Sequence, residues 1–168
     1  MSLVNLQNTL RNKLAGAERV AVLGMGSELR GDDVAGMLVA DALSSFAGSN
    51  CPEVAVFHGG TAPENLTGEI KRFLPTHLIV IDAADTSAKP GTLTIIKPEE
   101  LLTISFTTHM LPIQVMVDYL LETFSCQVTI IGIQPRSVEF GATPSRELRR
   151  AVKQLTTALI EAITSPTC

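Results

Sequence analysis

The sequence of 168 residues has no tryptophan, a single tyrosine and six phenylalanines. Its core must therefore be built from aliphatic side chains, and hydrophobic residues make up 45% of the chain. That fraction excludes an intrinsically disordered protein. Basic residues are also few, because 13 Lys and Arg stand against 17 Asp and Glu, which gives a net charge of −4. A nucleic-acid-binding domain carries a basic stripe, so we exclude nucleic acid as a partner.

Cysteines and long apolar runs are scarce as well. Cys51, Cys126 and Cys168 are widely spaced and form no C-x-x-C pair, which favours a reducing compartment over a disulfide framework. No stretch reaches the roughly 18 consecutive apolar residues of a membrane span, and the polar N-terminus is unlike a signal peptide. These absences predict a cytoplasmic protein that does not bind membranes. The length predicts a single domain over residues 1–168, which we expect to be monomeric.

Short β-branched runs alternate with segments of helical periodicity. Buried strands are predicted at 19–24, 54–57, 77–82 and 128–133, and an edge strand at 92–97. Helices are predicted at about 6–14, 33–47, 61–73, 112–124 and 148–163. Strands that alternate with helices predict an α/β fold, in which helices cover both faces of a mainly parallel sheet.

Two of these helices carry more specific expectations. The helix at 33–47 places four apolar residues on one face, namely Val34, Leu38, Ala42 and Phe46. The helix at 61–73 has the spacing of a capping box, in which Thr61 would begin the helix and Glu64 would bond back to it.

Functional groups of such a sheet collect beyond the carboxyl ends of its strands. Asp82 ends a buried strand there, and a buried carboxylate is costly unless it is paired, hydrogen-bonded or metal-bound. Together with Asp33 and His109, it forms a set of one imidazole and two carboxylates, suited to a divalent ion such as nickel or zinc. Taken singly, Asp32 and Asp33 also fit plain helix capping, and His109 fits an ordinary loop histidine.

A glycine-rich loop follows the first strand, but it lacks the features of a phosphate site. Gly31 comes two residues too late for G-x-G-x-x-G, and His58 stands where an acidic residue would hold a ribose. Asp32 and Asp33 occupy the places of the lysine and hydroxyl residue of a P-loop. Two carboxylates repel a phosphate and attract a cation.

Other polar residues near the strand ends have more ordinary interpretations. Asp85 precedes Thr86, Ser87 and a Pro-Gly turn, so we expect it to be a turn residue. His77 begins a strand on the opposite edge of the sheet and is expected to be structural. His58 ends a strand and either reaches the site or only caps it.

From about Arg19 to Phe140, the sequence resembles the [NiFe]-hydrogenase maturation endopeptidases, most closely the branch that processes the hydrogenase 3 large subunit. Six motifs carry the resemblance in consistent order: Gly31-Asp32-Asp33 after the glycine loop, Gly59-Gly60-Thr61-Ala62-Pro63-Glu64-Asn65, Ile81-Asp82-Ala83-Ala84-Asp85, Pro90-Gly91, Thr107-Thr108-His109-Met110-Leu111-Pro112 and Gly132-Ile133-Gln134-Pro135.

This resemblance implies a twisted five-stranded sheet between helices, in three αβα layers. It also implies hydrolysis of one peptide bond near the C-terminus of the hydrogenase large-subunit precursor, after nickel insertion. The family's metal ligands and catalytic groups fall on Asp33, Asp82 and His109. Nickel is then a recognition element that the substrate supplies, although another divalent metal is also compatible with these ligands.

Two residues depart from the family pattern. Ser27 replaces a common asparagine, and His58 replaces an aspartate before the double glycine, which removes a negative charge and offers a fourth ligand. The sequence leaves two routes of hydrolysis open: a metal-activated water, or Asp33 or Asp82 as general base. Asp32 is expected to support either route from behind the metal ligands.

Two other functions stay open at this stage. A nickel-binding accessory protein would dock the large subunit through the same three residues without cleaving it. A nucleotide-binding α/β module would rest on the glycine loop alone.

Overall fold

The computed structural model describes residues 3–46, 52–97, 100, 104–106 and 113–164. In this part of the chain the strands are β1 (Arg19–Met25), β2 (Glu53–Gly60), β3 (His77–Asp85), β4 (Leu93–Ile96), β5 (Ser105–Phe106) and β6 (Gln127–Ile133). The α-helices are α1 (Leu3–Lys13), α2 (Ala35–Ser44), α3 (Thr67–Phe73), α4 (Ile113–Thr123) and α5 (Arg146–Thr164). Short 3-10 turns at Gly31–Val34 and Pro63–Leu66 lead into α2 and α3.

Five of the strands form an open sheet in the order β2-β1-β3-β6-β4. All neighbouring pairs are parallel except β6 and β4, which are antiparallel, so β4 closes one edge. The two-residue strand β5 pairs antiparallel with the end of β3. The predicted α/β fold with a mainly parallel, five-stranded sheet is confirmed, as is the edge position of residues 92–97.

Helices cover both faces of the sheet, so the central strands are apolar on both sides. β3 is buried from His77 to Ala84, as expected for a strand between two helical layers. Alternate residues of β3 point to opposite faces of the sheet, and each face has its own hydrophobic core. Ile79 packs with α1, α2 and α5, whereas Leu78 and Val80 pack with α3 and α4. The three-layer αβα architecture follows from this alternation.

The apolar stripe of the first helix packs on the protein itself. Leu6, Leu10 and Leu14 are buried, and α1 lies against α5, in the same core cluster. The stripe thus extends the hydrophobic core, which accounts for its spacing without an external partner.

The predicted face of α2 is confirmed at three of its four positions. Val34 is buried, and Leu38 and Phe46 are half-buried and pack against the core. Ala42 is exposed, so its place on that face is wrong; the buried residues within α2 are Ala35, Gly36, Val39, Ala40 and Leu43.

The capping box at Thr61 is also wrong. Thr61 is exposed, and the helical segment begins after Ala62, with Pro63 in its first turn and no side-chain cap bond. Proline suits that position because its φ is already helical and its missing N–H would have no partner there.

Within the described ranges, no helix is both long enough and apolar enough to cross a lipid bilayer.

Candidate active site

Asp82 lies inside β3 rather than at its end. β3 continues to Asp85 because Asp82 and Ala83 pair with Gly132 and Ile133 of β6, and the last residues of β3 pair with β5. The side chain of Asp82 is completely buried, and its Oδ1 accepts the N–H of Ala83 at 2.8 Å. The predicted strand end is therefore wrong, whereas the buried carboxylate near the carboxyl edge is found as expected.

Asp33 lies in the 3-10 turn between β1 and α2. It is completely buried, and its Oδ2 accepts the N–H of Ser27 at 3.1 Å. This bond ties the glycine loop back onto the turn. Capping does not explain Asp33, because the N-cap of α2 is Val34 and no side chain caps that helix.

Close backbone packing brings Asp33 and Asp82 to the same corner of the sheet. A Cβ on Gly36 would lie 2.0 Å from the carbonyl oxygen of Ile81 and 2.4 Å from the amide nitrogen of Met25. The first turn of α2 therefore lies directly on β1 and β3, and the 3-10 turn also contacts β3. Asp33 precedes this contact by one turn of chain and Asp82 follows Ile81 directly, so the contact places both carboxylates at one edge.

Asp32 has a different role from its neighbour. Its Oδ1 accepts the N–H of Ser145 at 2.6 Å, and its Oδ2 accepts the Ser145 hydroxyl and the N–H of Arg136, each at 2.7 Å. The side chain is 1% exposed. Charge-assisted bonds of this length are strong, and here they fasten the loop 134–145 and the start of α5 to the 3-10 turn. Asp32 therefore holds the turn that carries Asp33, and its support of catalysis stays a prediction.

Gln134 organises a second loop at the same edge, a role that was not predicted from the sequence. Its Oε1 accepts the N–H groups of Thr86 and Ala88 at 2.8 and 3.2 Å, and its Nε2 donates to Asp85 Oδ1 at 3.2 Å. Two signals pointed to it: its place in the motif Gly132-Ile133-Gln134-Pro135, and its position directly after the buried strand β6, where side chains reach the functional edge.

Asp85 is the turn residue that the sequence predicted. Its Oδ1 also accepts the N–H of Ser87 at 3.0 Å. This backbone hydrogen bond and the one from Gln134 hold the pKa of the exposed Asp85 carboxyl below its ordinary value. Asp85 is therefore charged at neutral pH and stabilises the turn after β3.

His109 lies outside the described residues, so the structure does not place the third member of the predicted set. Among the residues that are described, no three His, Cys, Asp or Glu side chains come together as a metal site. Asp33 and Asp82 are the two predicted site residues that the structure places, and it places both at one corner.

The other two histidines lie in surroundings unlike a shared site. His58 is inside β2, is exposed, and contacts Asp41 of α2 through Nε2 at 2.9 Å. His77 begins β3 at the amino edge, where its Nδ1 lies 3.1 Å from the hydroxyl of Thr76. Burial lowers the pKa of His77 below its ordinary value. The structural role predicted for His77 agrees with this position, and the described contact of His58 is with Asp41 at the surface.

Cys126 is free and half-buried, directly before β6 at the amino edge. Burial raises the pKa of its thiol, which disfavours the nucleophilic thiolate. A cysteine in that position is remote from the buried carboxylates at the carboxyl edge.

The comparisons with known proteins agree with this architecture. A family model described as "HycI: Hydrogenase maturation protease" matches residues 37–165, a stretch that includes Asp82 and His109 and begins shortly after Asp33. The hydrogenase 3 maturation protease of Escherichia coli K12 is 34% identical over 133 residues, covering 79% of this chain and 83% of that protein. The hydrogenase 2 maturation protease of the same strain is 32% identical over 154 residues, covering 85% and 92%.

Solved structures of maturation proteases are also similar to this chain. The crystal structure of the [NiFe] hydrogenase maturation protease HycI from Thermococcus kodakarensis superposes with a TM-score of 0.85 at 28% identity, covering 94% of this chain and 99% of that one. A solution structure of the endopeptidase HycI from Escherichia coli superposes with a TM-score of 0.72 at 32% identity, covering 83% and 87%. The chain therefore belongs to the hydrogenase maturation protease family and is a peptidase.

Proposed function

We propose that this peptidase removes a short C-terminal extension from the nickel-loaded precursor of a [NiFe]-hydrogenase large subunit. The observation that carries the proposal is the pair of completely buried carboxylates, Asp33 and Asp82, at the carboxyl edge of a maturation-protease fold. Likeness to hydrogenase 3 maturation proteases favours a large subunit of that type. The cysteine usage supports a cytoplasmic location, and we propose that the protein acts as a monomer.

We propose that nickel belongs to the substrate and is recognised by Asp33, Asp82 and His109. Two buried carboxylates at one corner raise the local negative charge, which a divalent cation offsets. Carboxylate and imidazole ligands suit nickel as well as other divalent metals. Nickel bound there would fix the precursor and polarise the bond to be cleaved. A precursor without nickel lacks this bridge, so it is not processed.

The chain's own residues would supply the rest of the chemistry. Amide hydrolysis needs a water that loses a proton and a leaving amine that gains one. Asp33 or Asp82 would take the proton from water, and the backbone N–H groups that bond to these carboxylates support this role by holding them in place. Burial of this corner excludes bulk water and strengthens these interactions. Asp32 keeps the turn that carries Asp33 in place through Ser145 and Arg136.

A processing assay with purified components tests the proposal. The protein is incubated with a hydrogenase 3-type large-subunit precursor, with and without nickel, and the products are weighed by mass spectrometry. Loss of a short C-terminal peptide from the nickel-loaded form alone is expected. Cleavage of both forms would contradict nickel recognition while leaving the protease activity intact.

The main alternative is an accessory protein that binds the nickel-loaded precursor without cutting it. The same assay separates the two, since tight binding without a mass change in either form would favour the accessory protein and contradict the protease. Membership in a peptidase family favours cleavage.

A further inference from the structure

Two large apolar side chains, Leu29 and Phe140, are exposed on adjoining loops at the edge of the candidate site. Leu29 is 62% exposed and Phe140 is 79% exposed, the highest value among the large apolar side chains of the described residues. We refer to Leu29 and Phe140 together as the apolar pair. Exposed apolar groups that lie together beside a site are typical of recognition surfaces.

The two loops that carry the apolar pair are bonded to each other, which brings Leu29 and Phe140 close together. The N–H of Gly141 donates to the carbonyl of Leu29 at 2.8 Å, and the N–H of Gly31 donates to the carbonyl of Ala142 at 3.1 Å. Gly31 and Gly141 both have positive φ, of 54° and 78°. The side chain of Asp32 adds the bonds to Arg136 and Ser145, so both loops are held on the 3-10 turn.

The apolar pair lies close to the candidate active site along the backbone. Asp33 lies four residues beyond Leu29, and its N–H donates to the carbonyl of Arg30 at 3.0 Å. A cleft of about 800 Å³ opens along the second loop and is lined by Asp32, Arg136 and Glu139, the last being the direct neighbour of Phe140. A polypeptide bound at the turn of Asp33 would therefore pass within reach of the apolar pair.

The size of the surface argues against a second copy of this chain as the occupant. Two such side chains offer on the order of 250 Å² of apolar surface, whereas a stable interface between folded partners needs roughly 1,000 Å² or more. The exposed charged residues Glu28, Arg30 and Glu139 flank the pair and limit any dry area around it. A contact this small adds usefully to the binding of a chain that is also held elsewhere, as a substrate is.

We propose that the apolar pair binds apolar side chains of the polypeptide substrate beside the scissile bond and thereby helps to select that substrate. The inference rests on the proposed function, because it takes the substrate to be a protein cleaved at the corner of Asp33 and Asp82. It adds a docking surface on the loops 26–31 and 134–145, which share no residue with the proposed nickel ligands.

Two serine variants, Leu29→Ser and Phe140→Ser, test the docking surface. Both side chains are exposed, so both variants are expected to fold as the wild type does. In steady-state processing of nickel-loaded precursor, we expect KM to rise about ten-fold with kcat changed less than about two-fold, the signature of lost binding. Leu74→Ser is the matched control: Leu74 is 50% exposed at the amino edge, where its carbonyl accepts a bond from Arg19, and KM should not change.

Binding to the nickel-free precursor gives a readout that does not depend on cleavage. Biolayer interferometry is expected to show about ten-fold weaker binding for either pair variant than for wild type or Leu74→Ser. Unchanged Kd and KM in a protease that still cleaves would overturn the docking surface and leave the proposed function standing. Weaker binding by the pair variants, together with a wild type that never cleaves the precursor, would overturn the proposed function and leave the docking surface standing. If the wild type does not bind the nickel-free precursor, the KM for the nickel-loaded precursor alone tests the docking surface.

Sedimentation velocity tests the alternative that a second copy of this chain occupies the surface. A wild-type dimer that becomes monomeric in Phe140→Ser, with KM unchanged, would assign the surface to a second copy and overturn the proposal.

Discussion

Asp32 and Ser145 are 113 positions apart in the chain and are joined by two hydrogen bonds, one from the Ser145 backbone at 2.6 Å and one from its hydroxyl at 2.7 Å. The same hydroxyl accepts the N–H of Leu148 in the first turn of α5 at 3.1 Å, so Ser145 also caps that helix. A single buried carboxylate thus connects the turn beside the active corner with the beginning of the last helix.

Asp32→Ala is expected to destabilise the protein strongly. The substitution leaves three donors in or near the interior without their acceptor, and together these bonds are worth about 3 kcal/mol or more. For a domain of this size, that corresponds to a fall in Tm of roughly 6–12 °C. Differential scanning calorimetry measures it. Asp41→Asn, at an exposed carboxylate, serves as the control and should change Tm by less than a few degrees; equal effects of the two substitutions would contradict the role of Asp32.

Asp33→Asn and His109→Ala are expected to give folded proteins that do not process nickel-loaded precursor. Each substitution removes one proposed nickel ligand, and Asp33→Asn also removes a candidate base. The value of kcat/KM should fall by more than about a hundred-fold, because a positioned acid or base usually contributes at least that factor. Circular dichroism checks the fold, and mass spectrometry follows the product. Asp118→Asn, on the exposed face of α4, is the matched control and should retain activity. Full processing by either site variant would remove that residue from the site.

Gly36→Ala and Gly68→Ala form a matched pair of helix substitutions with opposite expected signs. A Cβ added at Gly36 would lie 2.0 Å from a backbone atom of Ile81 and 2.4 Å from one of Met25, so α2 must move away from the sheet. We expect a loss of about 3 kcal/mol in the free energy of unfolding. Nothing lies within 4 Å of a Cβ at Gly68 in α3, so alanine should add about 0.5–1 kcal/mol there.

Urea denaturation measures both glycine variants. Gly36→Ala should also lower processing activity, because its helix carries the turn of Asp33. Equal stability of the two variants would show that the close approach of α2 to β3 is not required.

His77 predicts a specific loss of stability in mild acid. Its pKa is lowered by burial in the folded state from the ordinary value of 6.5, so the unfolded chain binds the proton more readily. The free energy of unfolding should therefore be fully maintained above about pH 6.5 and fall as the pH drops below it, by at most about 1.4 kcal/mol per pH unit. Urea denaturation at pH 7.5 and 5.5 measures the difference. His77→Gln should lose less stability over this interval than wild type, and identical losses would exclude His77 as the cause.

Much of the fold could be predicted because apolar spacing reports burial directly. The run 77–82 is almost continuously apolar and forms the central strand β3, and the Leu6, Leu10 and Leu14 stripe packs on α5. The ends of strands were harder to place. β3 extends beyond Asp82 because β6 and β5 pair with it, and pairing across the chain leaves no local signal.

Of the candidate site, the burial of Asp82 could be predicted from the sequence, because a carboxylate at the end of an apolar run is costly unless it is paired. Asp33 was singled out by its place after the glycine loop and by the family resemblance, and the roles of both residues stay predictions. The bonds of Asp32 to Ser145 and of Gln134 to Thr86 depend on how distant loops meet. No residue spacing in the sequence predicts which distant loops come into contact. The role of His109 remains a prediction from the sequence.

The glycines after β1 have a further consequence for protein engineering. A Cβ on Gly24 would lie 2.1 Å from the carbonyl oxygen of Gly36, and one on Gly26 would lie 1.8 Å from the carbonyl oxygen of Asp33. The space that a dinucleotide-binding loop leaves for pyrophosphate is thus filled by the protein's own backbone. Grafting a cofactor fingerprint onto this loop would fail unless the entry into α2 were rebuilt.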